Sequence, residues 1–260
     1  MKILDVARCL GGRLLNKEGF RWQSKEEEYN IWLFRNSDKE FWQSLEGKMI
    51  FERLYILTQL GFAREDSKIL REDTENHIFN SEFICIVVKE EIIVAYAAFK
   101  LWTWQGKSIL YLSGIMVHPS YQGKGISSSL LRKIADYFGA NFLTTRTQSP
   151  VMYESVKAAC EEIWPSMTNK GCPSIFREIG EFVAKSKLNM QRYCANQMTE
   201  ERTYGMYLYG AEPVSLNPDL EKWFKEKVNP QNGDSMIIVG SLKSSDQRLE
   251  AKLYSRLKKH

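Results

Sequence analysis

The sequence lacks the patterns of several common classes of protein. Three of its 260 residues are histidine and five are cysteine, and no two cysteines have C-x-x-C spacing. This argues against both a zinc framework and a secreted disulfide scaffold. No run approaches the ~20 apolar residues of a membrane span, and Asp5 and Arg8 interrupt any signal-peptide core. We therefore expect a cytoplasmic protein with no metal and no membrane association.

The sequence also lacks a strong charge of either sign. Its 36 basic and 32 acidic residues give a formal net charge of +4, whereas nucleic-acid-binding proteins usually cluster basic residues on one face. We therefore predict no nucleic-acid partner. Hydrophobic residues at 43% and charged residues at 26% are ordinary for a globular protein. The length suits one large domain, or one domain with an appendage.

Hydrophobic periodicity predicts alternating helices and strands. Asp38 is the expected N-cap of a helix from Lys39 to Gly61. One face of this helix carries its apolar residues, which are Phe41, Trp42, Leu45 and Met49. The predicted strands are 29–34, 83–88, 92–101, 108–117, 141–147, 202–209 and 236–242. The other predicted helices are 127–138, 150–160, 175–188 and 220–227. Tight turns at 89–91 and 105–107 predict that three of the strands form an antiparallel meander.

The most informative stretch is residues 115–127, with the sequence IMVHPSYQGKGIS. A strand ends, a glycine-bearing loop follows, and an amphipathic helix begins at once. The first N–H groups of a helix have no intrahelical acceptors, and the helix dipole makes that end positive. Together they favour phosphate oxygens. Gly123 and Gly125 permit close approach and positive φ, while Lys124 adds a cation and Ser127 a hydroxyl.

Two other phosphate-binding motifs fit less well. A P-loop ending at Gly106-Lys107-Ser108 would need glycine at Leu101, and this segment lies in a hairpin turn. A dinucleotide motif would place its third glycine at Ser128 and needs a parallel βαβ unit. Here the preceding strand belongs to a meander, so neither motif explains the loop.

Residues 117–126, VHPSYQGKGI, resemble the CoA-binding motif of the GNAT superfamily of acyl-CoA-dependent N-acyltransferases, [QR]-x-x-G-x-[GA]. Gln122 and Gly125 match this motif, and Ser127 replaces its final small residue. The resemblance implies a mixed α/β fold. Its sheet would be mainly antiparallel, flanked by helices, with a V-shaped splay between the two central strands. It divides the chain into an extension at 1–28, a GNAT-like core at 29–164, and a part at 165–260 that completes the sheet and the acceptor site.

The resemblance also implies which residues bind acetyl-CoA. Backbone amides of residues 122–127 would hold the pyrophosphate, and residues 115–117 would pair with the pantetheine arm. Residues 144–148 would form the opposite wall of the cleft, where the family often has asparagine and this chain has Gln148 or Ser149. The resulting set is Ile115, Met116, Val117, Gln122, Gly123, Lys124, Gly125, Ile126, Ser127 and Ser149.

Acyl transfer to an amine needs a group that accepts a proton and an acid for the departing thiolate. Tyr153 stands where the family often carries a tyrosine acid. Tyr111 and Ser113 alternate along the strand before the loop, and either could hold a water that relays the amine's proton. His118 is a weaker candidate base, and the amine could also arrive neutral.

We therefore predict an N-acetyltransferase that transfers acetyl directly from acetyl-CoA to a primary amine. The alternative is a non-catalytic acyl-CoA sensor on the same fold. The acceptor stays open among a polyamine, an aminoglycoside-like amine, a free amino acid, a peptide N-terminus and a lysine. We expect residues 165–260 to determine which acceptor is used. The same residues could also form a homodimer interface.

Overall fold

The computed structural model describes residues 20–24, 27–36, 40–169, 171–204 and 206–242. Asp38, Lys39 and most of the predicted extension at 1–28 lie outside these residues. The chain forms two compact units that interleave along the sequence. The first unit contains residues up to Lys100 together with Leu112–Ser127 and Tyr209–Glu212. The second contains the rest, namely Leu101–Tyr111, Ser128–Leu208 and Pro213 onward. The three-part division at 28 and 164 stays a prediction.

The strands of the first unit follow one another in the order β1-β2-β3-β4-β5. The pairs from β1 to β4 are antiparallel, which confirms the β3–β4 hairpin of the predicted meander, and β5 lies next to β4 in the sheet as that meander requires. Both residues of the β3–β4 turn, Glu90 and Glu91, have positive φ, as a tight hairpin requires. The strands are β1 (Phe20–Ser24), β2 (Glu27–Arg35), β3 (Phe83–Lys89), β4 (Ile92–Trp104) and β5 (Lys107–Val117).

Two helices complete the first unit: α1 (Leu45–Phe62) and α2 (Lys68–Phe79). The Ser44 hydroxyl accepts a hydrogen bond from Gly47 N at 3.0 Å and caps α1. Ser67 caps α2 in the same way. The prediction of one helix from Lys39 was wrong, because residues Glu40–Gln43 form a separate 3₁₀ turn.

That interruption also changes which residues of the region are buried. Phe41 and Trp42 are buried as expected, but Leu45 is 71% exposed and Met49 is 50% exposed. A 3₁₀ turn has a different number of residues per turn from an α-helix. The apolar phase of residues 41–42 therefore does not continue into α1, and Ile50 and Leu54 supply its buried face instead.

The second unit contains the start of β5 and the end of β4, with five further strands. Their order is β4-β5-β6-β10-β9-β8, and β7 pairs with β10. β10 is antiparallel to β6 over six residue pairs, so the sheet is mainly antiparallel as expected. The further strands are β6 (Phe142–Thr147), β7 (Glu162–Trp164), β8 (Tyr193–Cys194), β9 (Thr199–Glu200) and β10 (Ser235–Ser241).

Four α-helices follow β5 along the chain: α3 (Ile126–Phe138), α4 (Pro150–Ala159), α5 (Ser174–Glu181) and α6 (Pro218–Lys227). A π-helical turn, Phe182–Lys187, continues directly from α5. Ser149 caps α4 with proline at its first position, as predicted. Buried residues of these elements form a core that includes Phe142, Phe176 and Ile237.

The predicted strand at 202–209 was wrong. The described residues of this stretch form turns and irregular backbone, and β9 ends at Glu200. Side chains of the second unit satisfy part of this backbone, since Leu208 N donates to Gln148 Oε1 at 3.1 Å. Within the described ranges, no helix is long and apolar enough to cross a membrane.

Candidate functional site

The predicted phosphate loop joins β5 to α3 in the first unit. Residues Pro119–Tyr121 form a 3₁₀ turn, and residues Gln122 to Gly125, which we call the glycine loop, are exposed. Gly123 has φ 73° and Gly125 has φ 75°. The helix then begins at Ile126. The order of strand, loop and helix start that the motif predicted is therefore present.

The glycine loop has the backbone shape of an anion cradle. Left-handed residues in a turn direct neighbouring N–H groups to one side, which makes a concavity suited to anions. A side-chain carbon at Gly123 would meet no atom within 4 Å, so a ligand can approach the backbone there. The positive end of the 13-residue helix α3 adds to the attraction.

Gln122 has a structural role that the motif alone does not reveal. Its Nε2 donates to the carbonyl of Val117 at 3.1 Å, and its backbone N–H donates to Pro119 O at 3.2 Å. Both donors are thus engaged inside the protein and tie the loop to the end of β5. Contact between Gln122 and a cofactor stays a prediction.

Two lysines gather around a tyrosine beside the loop. Lys124 Nζ lies 4.9 Å from the centre of the Tyr121 ring, and Lys89 Nζ lies 5.5 Å from it. The Tyr121 ring also meets Tyr29 edge-on at 6.5 Å. Cation–π contacts of this kind hold positive charge in place. Lys124 belongs to the glycine loop and adds a cation there, which suits a diphosphate, whereas Lys89 Nζ also lies 4.0 Å from Glu90 Oε1.

The strand that leads into the loop contains the other predicted residues of the first unit. Ile115 and Val117 are buried, and Met116 is half-buried with its sulfur close to Gly61. The Ser113 hydroxyl is buried and has no hydrogen-bond partner among the residues that the structure describes. A buried hydroxyl without a partner is costly, so Ser113 keeps its place as a candidate that holds a water or a substrate group.

His118 has a structural role at the start of the loop. Its backbone N–H donates to Val94 O at 2.9 Å. Its Nδ1 accepts a hydrogen bond from Ser120 N at 3.2 Å. The ring therefore caps the 3₁₀ turn, and a role for His118 as a base stays a prediction.

Tyr111 lies in the second unit and is buried against an aromatic ring. It stacks on Trp102 with ring centres 4.6 Å apart. Burial raises the pKa of the Tyr111 phenol, and the charge of Arg146 opposes this rise. The phenol keeps its proton at neutral pH, so Tyr111 fits a hydrogen-bond donor better than a base.

Tyr153 lies one turn into α4 and is almost fully buried. Its hydroxyl donates to the carbonyl of Pro165 at 2.8 Å, and its ring centre lies 5.1 Å from that of Trp223. Burial raises the pKa of Tyr153 to about 12. The phenol therefore holds its proton at neutral pH, as an acid must, but it would have to leave Pro165 to deliver that proton.

Gln148 and Ser149 follow β6, and both side chains form hydrogen bonds within the second unit. Gln148 Nε2 donates to Met206 O and Asp234 O at 3.3 and 3.1 Å. The Ser149 hydroxyl accepts from Met152 N at 3.3 Å. Gln148, at the position where the family often has asparagine, thus holds the irregular segment 206–208. A cofactor contact by Ser149 stays a prediction.

Sequence reasoning missed Arg146 and its partner. Arg146 is a partly buried residue of β6, and its Nε donates to the Tyr204 hydroxyl at 3.0 Å. Its guanidinium carbon lies 4.6 Å from the centre of the Tyr204 ring. One signal was available: a lone charge in the otherwise uncharged strand FLTTRT. Within the described part of the chain, no group of three or more potential metal ligands occurs.

With this geometry in place, the comparisons identify the class of protein. A model described as "Acetyltransferase (GNAT) family" matches residues 14–154, which is more than half of the chain. The chain therefore belongs to the GNAT family of acetyltransferases. The comparison with curated protein sequences finds no significant match.

Solved structures of acetyltransferases resemble the chain over part of its length. The ribosomal-protein-S5-alanine acetyltransferase from Vibrio fischeri is 15% identical, with 56% of this chain and 85% of that chain covered and a TM-score of 0.36. An aminoglycoside acetyltransferase from an uncultured soil metagenomic sample is 14% identical, with 56% and 92% covered and a TM-score of 0.38. The ribosomal-protein-S18-alanine N-acetyltransferase from Escherichia coli is 14% identical, with 46% of this chain and 80% of that chain covered and a TM-score of 0.34.

Proposed function

We propose that the chain is an N-acetyltransferase that transfers an acetyl group from acetyl-CoA directly to a primary amine. The observation that carries the proposal is the glycine loop, with left-handed Gly123 and Gly125 immediately before the N-terminus of α3. Family membership supports acetyl transfer as the reaction. The open space at Gly123 and the lysines beside Tyr121 support a diphosphate ligand such as that of CoA.

Bound acetyl-CoA would supply an activated thioester, and the chain's own residues would bind it and manage protons. The glycine loop and the start of α3 would hold the diphosphate, and residues 115–117 the pantetheine arm. Ser113 would hold a water or the amine, because its hydroxyl is buried without a partner among the described residues. Tyr153 would protonate the departing thiolate, since its phenol is still protonated at neutral pH.

One observation favours a second candidate, a non-catalytic acyl-CoA-binding module. The proposed acid Tyr153 is bonded to the Pro165 carbonyl, and this bond would have to break during each reaction. A module that only binds acyl-CoA would keep the bond unchanged.

Calorimetric titration and a thiol-release assay test both candidates. The whole chain would be titrated with acetyl-CoA and longer acyl-CoAs, and thiol release would then be followed with a panel of primary amines. We expect acetyl-CoA to bind and at least one amine to give turnover. Binding without turnover for every amine would favour the second candidate, and absence of binding would refute both.

The chain offers a matched pair of glycines for this experiment. Gly123 and Gly106 both have φ 73°, and at neither would a side-chain carbon meet an atom within 4 Å. Backbone strain from a substitution should therefore be similar at both. We expect Gly123→Glu to weaken acetyl-CoA binding by roughly 100-fold or more, about 3 kcal/mol, because its carboxylate would occupy the cradle. Gly106→Glu should leave the affinity unchanged, and equal losses would contradict the proposed site.

A further inference from the structure

The guanidinium of Arg146 has no ionic partner among the residues that the structure describes. Its Nε donates to the Tyr204 hydroxyl, and its central carbon lies near the Tyr204 ring. The two terminal nitrogens have no hydrogen-bond partner among the described residues. Among the residues that the structure describes, no carboxylate lies within ion-pair distance of Arg146. A partly buried charge is normally paired, because desolvation without compensation is costly.

The acidic residue that acts on Arg146 from nearby, Glu200, is engaged elsewhere. Glu200 is 7% exposed. One of its carboxylate oxygens accepts from Arg192 N at 3.0 Å, and the other accepts from the Thr203 hydroxyl at 3.1 Å. Glu200 thus adds favourable potential to Arg146 without forming a pair with it. The site is therefore left able to take an anion from outside.

A second polar group on the same face of β6, the Thr144 hydroxyl, has no partner in the described part of the chain. The Thr144 hydroxyl is buried, and no described residue forms a hydrogen bond with it. Thr144 and Arg146 are two residues apart, so their side chains leave the same face of the strand, about 6.6 Å apart along it. Their cross-strand neighbours Val239 and Ile237 both belong to the buried core of the second unit.

Two tyrosines lie on the side of Arg146 that its hydrogen bond and its charge reach. Tyr204 lies against it, and Tyr111 is close enough to feel its charge. Tyr111 in turn stacks on Trp102. Such rings tolerate a cation and lower the local dielectric, which strengthens a charged hydrogen bond to a ligand.

We propose that Arg146 and Thr144 form an acceptor subsite that binds a carboxylate, so that the acceptor is an amino acid with a free carboxylate beside its amine. The proposal rests on the acetyltransferase function proposed above. Arginine presents a planar fork that matches a carboxylate with two parallel hydrogen bonds. One guanidinium balances the single charge of a carboxylate, whereas a phosphate monoester carries close to two charges at neutral pH.

This assignment separates the acceptors that the sequence left open. Free amino acids carry a carboxylate next to the amine. Polyamines, aminoglycosides and peptide N-termini do not, and each would leave Arg146 without an anion. We therefore expect the chain to prefer amino acids over the same molecules with the carboxylate converted to an amide.

The first arm of the test measures acceptor preference. The twenty common L-amino acids would be compared with their carboxamides in the thiol-release assay, using wild type, Arg146→Met and Arg177→Met. Arg177 is an exposed arginine of α5 and provides the matched control. For the best acceptor we expect kcat/KM to favour the acid over the amide by about 10- to 100-fold, as one charged hydrogen-bonded pair allows. Arg146→Met should abolish this preference, and Arg177→Met should preserve it.

The second arm needs no turnover. The N-acetyl derivatives of the same acids and amides would be titrated calorimetrically into the chain without any acyl donor. Tighter binding of the acids by wild type, lost in Arg146→Met, would support the subsite. Equal binding of acids and amides, or inorganic phosphate binding in preference to every carboxylate, would overturn it.

Two further variants keep the proposal testable if Arg146→Met does not fold. Arg146→Lys retains the positive charge without the planar guanidinium. Tyr204→Phe retains the guanidinium but removes the hydroxyl that accepts a hydrogen bond from Arg146 Nε. We expect Arg146→Lys to reduce the acid preference about tenfold, and an unchanged preference in both variants would overturn the proposal. If no acyl-CoA binds and no amine reacts, the acetyltransferase function fails, while the second arm still decides the carboxylate subsite.

Discussion

The glycine loop and the β6–α4 segment, residues 144–153, are built in different ways. In the loop, the proposed binding of a diphosphate depends on backbone conformation, set by Gly123 and Gly125 over a few consecutive residues. In the β6–α4 segment, side chains make the structure, and their partners lie far away along the chain. Gln148 bonds to residues 206, 208 and 234. A site built from backbone can therefore be predicted from a short motif, whereas a site built from side chains depends on partners that are distant in the sequence.

Among the variants of the two regions, we expect Gln148→Ala to have the largest effect. The Gln148 side chain makes three hydrogen bonds to backbone groups of the second unit. Its removal leaves buried groups without partners, and we expect the free energy of unfolding to fall by about 3 kcal/mol. Denaturant unfolding would measure this, with Gln191→Ala as the control, because Gln191 is exposed and bonds to Asn189. Similar losses in both variants would show that the segment does not depend on Gln148.

Tyr153→Phe tests whether the β6–α4 segment does chemistry. If the phenol is the acid, kcat should fall about 100-fold, with the affinity for acetyl-CoA unchanged. A residue that only packs would instead lower the melting temperature through the lost bond to Pro165 and leave kcat intact. Steady-state kinetics together with thermal unfolding separate the two results.

The same tyrosine makes a prediction about alkaline pH. Burial raises the pKa of Tyr153 from its ordinary value to about 12 in the folded chain. Its stabilising contribution is therefore complete below pH ~10 and is lost as pH rises towards 12, because the unfolded chain releases the proton more easily. Unfolding measured from pH 9 to 12 should show a shallower decline in Tyr153→Phe than in wild type. An identical slope would contradict the assigned environment.

Ser149→Ala compares two helix caps of the same kind. Ser149 caps α4 and Ser67 caps α2, with hydroxyl-to-amide distances of 3.3 and 3.2 Å. Loss of either cap should lower stability by about 1 kcal/mol. If Ser149 also contacts acetyl-CoA, its variant should weaken cofactor binding and Ser67→Ala should not. Equal cofactor affinities would limit Ser149 to capping.

The smallest effect is expected for Lys124→Ala in the glycine loop. Because the cradle is built from backbone, loss of one exposed cation should raise the dissociation constant of acetyl-CoA about threefold, or roughly 0.6 kcal/mol. The effect should shrink as salt is added. Calorimetry at two ionic strengths would measure it. A loss of acetyl-CoA affinity as large as that from Gly123→Glu would show that the site depends on the Lys124 side chain and not mainly on the backbone.

Local patterns made much of the fold predictable. The continuous β-branched run of β3, the tight turns of the meander and the Ser149-Pro150 start of α4 all have short-range physical causes, and all three were predicted. The glycine loop belongs to the same category. The predicted helix start at Lys39 failed because the 3₁₀ turn Glu40–Gln43 and the Ser44 cap replaced it.

Long-range pairing explains what could not be predicted. The segment after β9 contains three tyrosines, at 204, 207 and 209, and aromatic residues favour a strand. In the folded chain, Tyr204 bonds to Arg146 and Leu208 N bonds to Gln148, so its backbone is satisfied without strand neighbours. The proposed carboxylate subsite escaped prediction for the same reason, since residues 146 and 204 meet only after folding. Nothing in the local sequence around Arg146 shows that its neighbours would be aromatic rather than acidic.

The hydrogen bond from Gln122 to Val117 has a consequence for how quickly a ligand is captured. It fastens the start of the loop to the end of β5, and the positive φ of Gly123 and Gly125 is a conformation that glycine adopts without strain. A receptor that is already in shape needs no slow rearrangement after the encounter. Association in a stopped-flow experiment should follow a single exponential whose rate rises linearly with acetyl-CoA concentration. In Gln122→Ala, the freed loop should make that rate level off at high concentration.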